Sequence, residues 1–224
     1  MRIWLTAFSI SVSFLLISCG QCEISEYYDH KKEVKKTEIC GDRKDGKLIN
    51  GVERGYLYEG SVNYETEYKD GVMNGKWVRF HPSGSISGEG VYANNLKEGL
   101  FVEYYPNGTK SLEVTFLHGV PEGVRTQWYD NGKKQIEATY LHGKKEGRYL
   151  EWHSNGVPRV ETTYKEDKID GPYKAYHSNG VVAEEGVYID GLQEGSYMMY
   201  DETGAKDREG IYKNGEIDTL IRFQ

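Results

Sequence analysis

The chain has 224 residues, with 28 Lys and Arg against 35 Asp and Glu, giving a net charge of −7. An acidic protein is repelled by nucleic-acid phosphates and anionic lipid headgroups, which argues against nucleic-acid binding and against electrostatic docking on a membrane. With 27 glycines and 38% hydrophobic residues, the composition is too turn-rich and too poor in aliphatics for a thick globular core.

In chain order, Met1-Arg2 is a brief basic start, and Ile3 to Ile17 is an apolar run of 15 residues. That is short for a bilayer span and right for the core of a signal peptide. The run ends in Leu16-Ile17-Ser18-Cys19, which is similar to a bacterial lipobox. Small Ser18 would admit the peptidase, and the Cys19 thiol would receive the lipid. Residues 1–18 are therefore expected to be a lipoprotein signal peptide, the alternative being an ordinary secretory signal with an incidental cysteine. Removing them deletes one cation, Arg2, and leaves 27 cations against 35 acids, a net −8. Gly20, not Asp, follows the cysteine, and resemblance to Gram-negative lipoproteins then implies a cell-envelope location at the outer membrane. The lipid, not a basic patch, would be the membrane contact.

Residues 19–50 are polar and charge-rich, with Lys31-Lys32 and Lys35-Lys36. They read as a polar spacer or as a partial capping repeat around Asp45-Gly46. Cys22 and Cys40 fit no metal signature. In an exported chain they either pair, closing a 19-residue segment, or stay as two thiols.

Residues 51–218 carry a 24-residue period. Glycine recurs at Gly51, Gly75, Gly99, Gly123, Gly147, Gly171 and Gly195, and nine residues after each at Gly60, Gly84, Gly108, Gly132, Gly156, Gly180 and Gly204. Five positions further on stands an unbroken row of carboxylates: Glu65, Glu89, Glu113, Glu137, Glu161, Glu185 and Glu209. Two aromatic rows complete the unit, one running from Tyr56 through Trp128 and Trp152 to Tyr200, the other from Tyr68 to Tyr212. Short aromatic and β-branched runs separated by Asn-Gly, as at Asn107-Gly108 and Asn155-Gly156, predict hairpins with positive φ at both turn residues. A second turn, Gly-marked at Gly71, Gly119, Gly143, Gly191 and Gly215, follows the second run. A lone hairpin is marginal in water, so neighbouring units must stack edge to edge. The fold class is thus all-β: an elongated single antiparallel sheet of seven tandem 24-residue β-hairpin repeats, a twisted ribbon about 65–70 Å long. Residues 219–224, where Thr219 replaces an eighth glycine, are expected to add a closing strand.

These units resemble the bacterial variant of the MORN repeat. The resemblance rests on Gly75-Lys76-Trp77-Val78-Arg79-Phe80, on the Asn-Gly turn, and on the close Glu137-Ala138-Thr139-Tyr140-Leu141-His142-Gly143. It implies an extended sheet of hairpins that binds proteins or membrane surfaces. Many bacterial members carry an antitoxin label, and the family has no catalytic residue to carry over.

Chemistry-bearing residues recur with the same beat. Successive members of the Glu row stand one hairpin apart, roughly 10 Å, too far to share a metal ion or form a catalytic pair. A carboxylate kept in every unit is read as structural, accepting hydrogen bonds from a turn or a Tyr hydroxyl. His81, His153, His177, His118 and His142 form no metal signature and are read as solvent-facing turn or edge residues. There is no nucleophile motif and no phosphate loop, so neither catalytic residues, cofactor nor metal is expected. Tyr105 and Tyr129, and a third, incomplete ring row including Trp77, Phe101 and Tyr173, would leave aromatics on a face that a single sheet cannot bury. Trp77, Phe101, Tyr105, Trp128, Tyr129, Trp152 and Tyr173 are accordingly the candidate contact residues of a non-enzymatic, surface-anchored protein-binding lipoprotein. An immunity or antitoxin-like protein is one alternative. A cell-wall or glycan binder is another, since flat aromatics suit sugar rings.

Overall fold

The computed structural model describes residues 22–27, 35–45 and 47–223. Among them there is no helix, and the 18 strands lie in one sheet. Strands β1 (Cys22–Tyr27) and β2 (Lys35–Lys44) come first. The repeats follow as β3 (Lys47–Tyr56) with β4 (Val62–Lys69), β5 (Val72–Phe80) with β6 (Ile86–Ala93), β7 (Leu96–Tyr104) with β8 (Lys110–Leu117), and β9 (Val120–Trp128) with β10 (Lys134–Leu141). Next come β11 (Lys144–Trp152) with β12 (Pro158–Lys165), β13 (Lys168–Ile169) and β14 (Gly171–Tyr176) with β15 (Val182–Ile189), and β16 (Leu192–Tyr200) with β17 (Lys206–Lys213); β18 (Glu216–Arg222) closes the array. Each strand pairs antiparallel with its sequence neighbour, except that β13 and β14 lie in line and both pair with β12, so the topology is a meander. The expected single sheet of tandem hairpins is what the chain forms.

Residues 22–27 and 35–45, ahead of the repeats, join this sheet. Cys22 faces Cys40 across β1 and β2, and Cys40 faces Val52 on β3. A disulfide links Cys22 to Cys40 with their Cα atoms 4.1 Å apart. Ile39, Cys40 and Leu48 are buried there, so the first repeat is covered on its outer side.

The two turns of each unit divide their roles differently from the sequence expectation. At Asn107-Gly108 only the glycine is left-handed, with φ 83°. Gly108 N–H donates to the Tyr105 carbonyl at 2.9 Å and Tyr105 N–H to the Thr109 carbonyl at 2.8 Å, which defines a three-residue loop. Asn107 stays out of the left-handed region because its side chain is already committed: Oδ1 accepts the Thr109 N–H at 2.9 Å. The two-residue turn with positive φ at both positions is the second one, as at His142 (51°) and Gly143 (83°). In two units this turn has no glycine at all, and Asn94-Asn95 and Glu166-Asp167 hold the left-handed geometry instead.

The leading glycine marks a bulge. Between β8 and β9, Glu113 faces Thr126 while Thr115 faces Glu122, so the register slips across Gly123, whose φ is 79°. The slip is repeated in unit after unit and keeps the two faces of the sheet in phase along the array. There is no second layer among the described residues, and each face buries its own narrow row. Phe101, Val114, Ala138, Thr162 and Tyr197 lie on one face, and Val78, Val102, Thr126, Leu150 and Met198 on the other.

Candidate interaction surface

The Glu row lies on the second of these faces and is fully engaged. Fifteen residues after each carboxylate but Glu209 comes the first-row aromatic of the next unit. Where that residue is Tyr, its hydroxyl donates to the carboxylate: Tyr104 to Glu89 at 2.8 Å, Tyr176 to Glu161 at 3.5 Å and Tyr200 to Glu185 at 2.7 Å. Phe80, Trp128 and Trp152 have no hydroxyl, and there a cation takes over. Arg54 meets Glu65 at 2.6 Å, Lys110 meets Glu113 at 2.6 Å, and Lys134 meets Glu137. Lys110 and Lys134 also sit 5.9 and 5.8 Å from the centroids of Trp128 and Trp152, within cation–π range. Two chemistries thus satisfy the same carboxylate. The Tyr200 hydrogen bond and then Lys174 hold Glu185 below its ordinary pKa, against the opposing effect of burial. Burial, followed by the bond to Glu89, pushes the Tyr104 hydroxyl up to about 12.

Further bonds tie each first turn to the next. His81, His153 and His177 donate Nε2–H to the carbonyls of Tyr104, Tyr176 and Tyr200 at 2.8–3.0 Å. At the equivalent position, the hydroxyls of Tyr105 and Tyr129 donate to the carbonyls of Trp128 and Trp152 at 2.7 and 2.8 Å. These three histidines are half-buried members of a hydrogen-bonded ladder, not the solvent-facing residues expected. His118 and His142 do face solvent. Asn107, Asn131, Asn155 and Asn179 donate Nδ2–H across to the neighbouring turn at 2.8–2.9 Å. A row missed in the sequence precedes the leading glycines. Glu98, Glu122, Glu146 and Glu194 accept the backbone N–H of the second turn at 2.8–2.9 Å. Asp170 does the same for the Asp190 N–H at 3.1 Å. The row's signal was present, an acid at the same place in five units, but it was masked by the leading glycine beside it.

On the opposite face the aromatic rows interlock. Phe101 has ring-centroid distances of 6.0, 5.6 and 5.2 Å to Trp77, Tyr92 and Phe116. Tyr173, Tyr188, Tyr197 and Tyr212 form a second run. Between them the third row is broken by Arg125, which bonds Gln127 at 3.0 Å. Tyr197 donates to Glu184 at 2.7 Å, and its pKa is pushed far above the normal value by burial and then by that carboxylate.

The seven aromatic contact candidates are therefore scattered and largely occupied. Phe101 is 4% exposed and offers no surface to a partner, because it lies over Gly90, where there is no side chain to lift it. The other six are half-buried. Trp77 and Tyr173 share the face with Phe101, Trp128 and Trp152 lie on the opposite face, and Tyr105 and Tyr129 are spent on the turn ladder. The physical reason is that a ring can lie flat along a strand and cover its neighbour, so a single sheet hides its aromatics without a second layer.

Apart from Tyr58 and Phe223, the large apolar side chains that stay exposed are aliphatic. On the face of the Glu row, β6 to β10 present Val91, Leu96, Leu100, Leu117, Val120, Val124 and Leu141, with Leu100 52% and Val124 54% exposed. Trp128 lies on the same face of β9, four residues beyond Val124. The run is bounded by charge at the same repeat positions: Lys76 on β5, then Lys144 and Arg148 on β11. One position thus reads Lys76, Leu100, Val124, Arg148 through successive units. Comparing units at this position, instead of seeking what all seven share, would have found the patch.

Cys19 and the expected signal peptide lie outside the described residues. Among those described, no group of three or more His, Cys, Asp or Glu is placed to hold a metal ion. A comparison with protein families matches the MORN repeat variant five times in tandem, at residues 73–94, 97–118, 121–142, 145–166 and 169–190. No curated protein matches the chain.

Proposed function

Since the chain belongs to the MORN repeat variant family, whose repeats commonly bind proteins or membranes, we propose that it is a non-enzymatic scaffold held at the cell envelope by lipid on Cys19. Its contact surface is the aliphatic patch centred on Leu100 and Val124. The observation that carries this reading is the contiguity of the patch: seven exposed aliphatics on one face of adjacent strands, bounded on both sides by Lys or Arg. A large exposed apolar area rimmed by charge is what a protein partner covers. Trp128, on the same face, would lie at the margin of the contact.

The patch contributes little to stability, so Leu100→Glu with Val124→Glu should leave the fold intact, within about 0.5 kcal/mol. Crosslinking and pull-down from envelope membranes with the full-length protein should recover a stoichiometric protein that this double variant loses. Recovery of a toxin would narrow the reading to an immunity protein. Capture of glycan alone, or of the same partner by the variant, would overturn it. Metabolic labelling with a fatty acid tests the anchor, which a Cys19→Ser variant should abolish.

A further inference from the structure

We propose that β18 is a self-association edge, through which two copies of this chain pair their β18 strands antiparallel about a two-fold axis at Leu220. Every residue of β18 is exposed, and among the described residues the strand pairs with β17 alone. Ile217, Leu220 and Ile221 are 51%, 50% and 42% exposed. An outer edge this apolar, without Pro or Lys to blunt it, is a template for another strand.

The strand also leaves the beat of the array. Thr219 stands where units such as those led by Gly75, Gly99, Gly123, Gly147 and Gly195 have their bulge glycine, and the register slip moves to between Ile211 and Tyr212. The result is a regular stretch over 219–222, with Asp218 as the extra residue at the slip. Phe223 N–H donates inward to the Asp207 carbonyl at 2.9 Å. By alternation, the amides and carbonyls of Arg222 and Leu220 then point outward. Setting Leu220 opposite its own copy makes those residues members of the hydrogen-bonded pairs of the new ladder. The same register places Thr219 opposite Ile221 of the second copy and brings Asp218, at the end of the regular stretch, up to Arg222, twice by symmetry. Opposite charges meet, apolar side chains meet, and the faces agree. Within one chain Asp218 and Arg222 are about 13 Å apart along the strand and do not pair. Pairing between copies would bring these opposite charges together, and the two ribbons would then join into one continuous sheet.

Charge exchange tests the register on the full-length protein by sedimentation. The parent should dimerise at micromolar concentration. Arg222→Asp and Asp218→Arg, each putting two like-charge pairs across the axis, should each weaken the dimer by about tenfold or more. The double exchange should restore it, and mixing the two single variants should yield a heterodimer, since each supplies the charge the other lacks. Both sites are exposed, so far-UV dichroism should be unchanged in all variants. A monomeric parent, single variants that dimerise as the parent does, or a double exchange that stays weak would each overturn the proposal.

Discussion

Gly90→Ala measures how tightly the ring face is packed. A Cβ at Gly90 would stand 2.5 Å from the Phe101 ring, where van der Waals contact needs about 3.5–4 Å. The ring must therefore move by about 1 Å or the strands must part. Phe101 has little freedom to move: it is 4% exposed and edge-on to Tyr92 and Phe116 at 5.6 and 5.2 Å. Gly90 lies outside the left-handed region, so alanine carries no φ penalty there and gains about 0.4–1 kcal/mol by restricting the unfolded chain. Overpacking costs about 1–3 kcal/mol, and disturbing an aromatic pair about 0.5–1.5 kcal/mol. The steric terms win, and a net loss of about 1–2 kcal/mol is expected. Urea unfolding followed by Trp fluorescence reads it as a lower midpoint at unchanged slope. Adding Phe101→Leu should recover at least half of the loss, because the clash and its relief share one contact. Gly88→Ala, whose Cβ would lie 3.3 Å from the rim of Trp77, should cost much less. If Gly90→Ala matched or exceeded the parent in stability, the ring would not be held as described.

The two ways of satisfying the Glu row predict that Lys110→Val alone weakens the protein by less than about 1 kcal/mol, as befits a half-exposed ion pair. Adding Trp128→Tyr should restore stability by supplying a hydroxyl to Glu113, which a double-mutant cycle would detect. Alkaline titration should show a fall in stability between about pH 10 and 12. Burial and nearby carboxylates raise the Tyr104, Tyr149 and Tyr173 hydroxyls to about 12, from 10.0 in the unfolded chain. The folded form then holds protons the unfolded form has lost, so stability is complete below pH 10 and disappears as pH rises through 12. A thermal midpoint constant to pH 12 would contradict this. Reducing Cys22–Cys40 should cost roughly 3 kcal/mol for a loop of this length, seen as faster hydrogen exchange in β2. Unchanged exchange there would show that β1 is held by its strand pairing alone.

The architecture was legible because periodicity survives any one substitution: seven glycines at one interval specify the stack even where Glu53 or Arg125 interrupts an aromatic row. Turn chemistry was legible only in part. Asn-Gly marked a turn, but whether Asn107 adopts positive φ depends on whether its side chain is already bonded, and its Oδ1 is taken by the Thr109 N–H of the same loop. The burial of the rings was hidden from the sequence for a related reason. Rings look like binding residues in a sequence, but Phe101 is hidden by the absence of a side chain at Gly90, and Tyr105 by a carbonyl 23 residues on. Exposure is a property of what lies alongside, and in this fold what lies alongside is the next unit.

That dependence has a consequence for how such a gene can change. The cross-turn bonds run from each unit to the one a single period ahead. Copying or dropping one whole unit returns every donor to an equivalent acceptor, whereas inserting a few residues strands the donors on both sides. The array can therefore lengthen or shorten by recombination in whole steps of about 10 Å, and its reach becomes a heritable count.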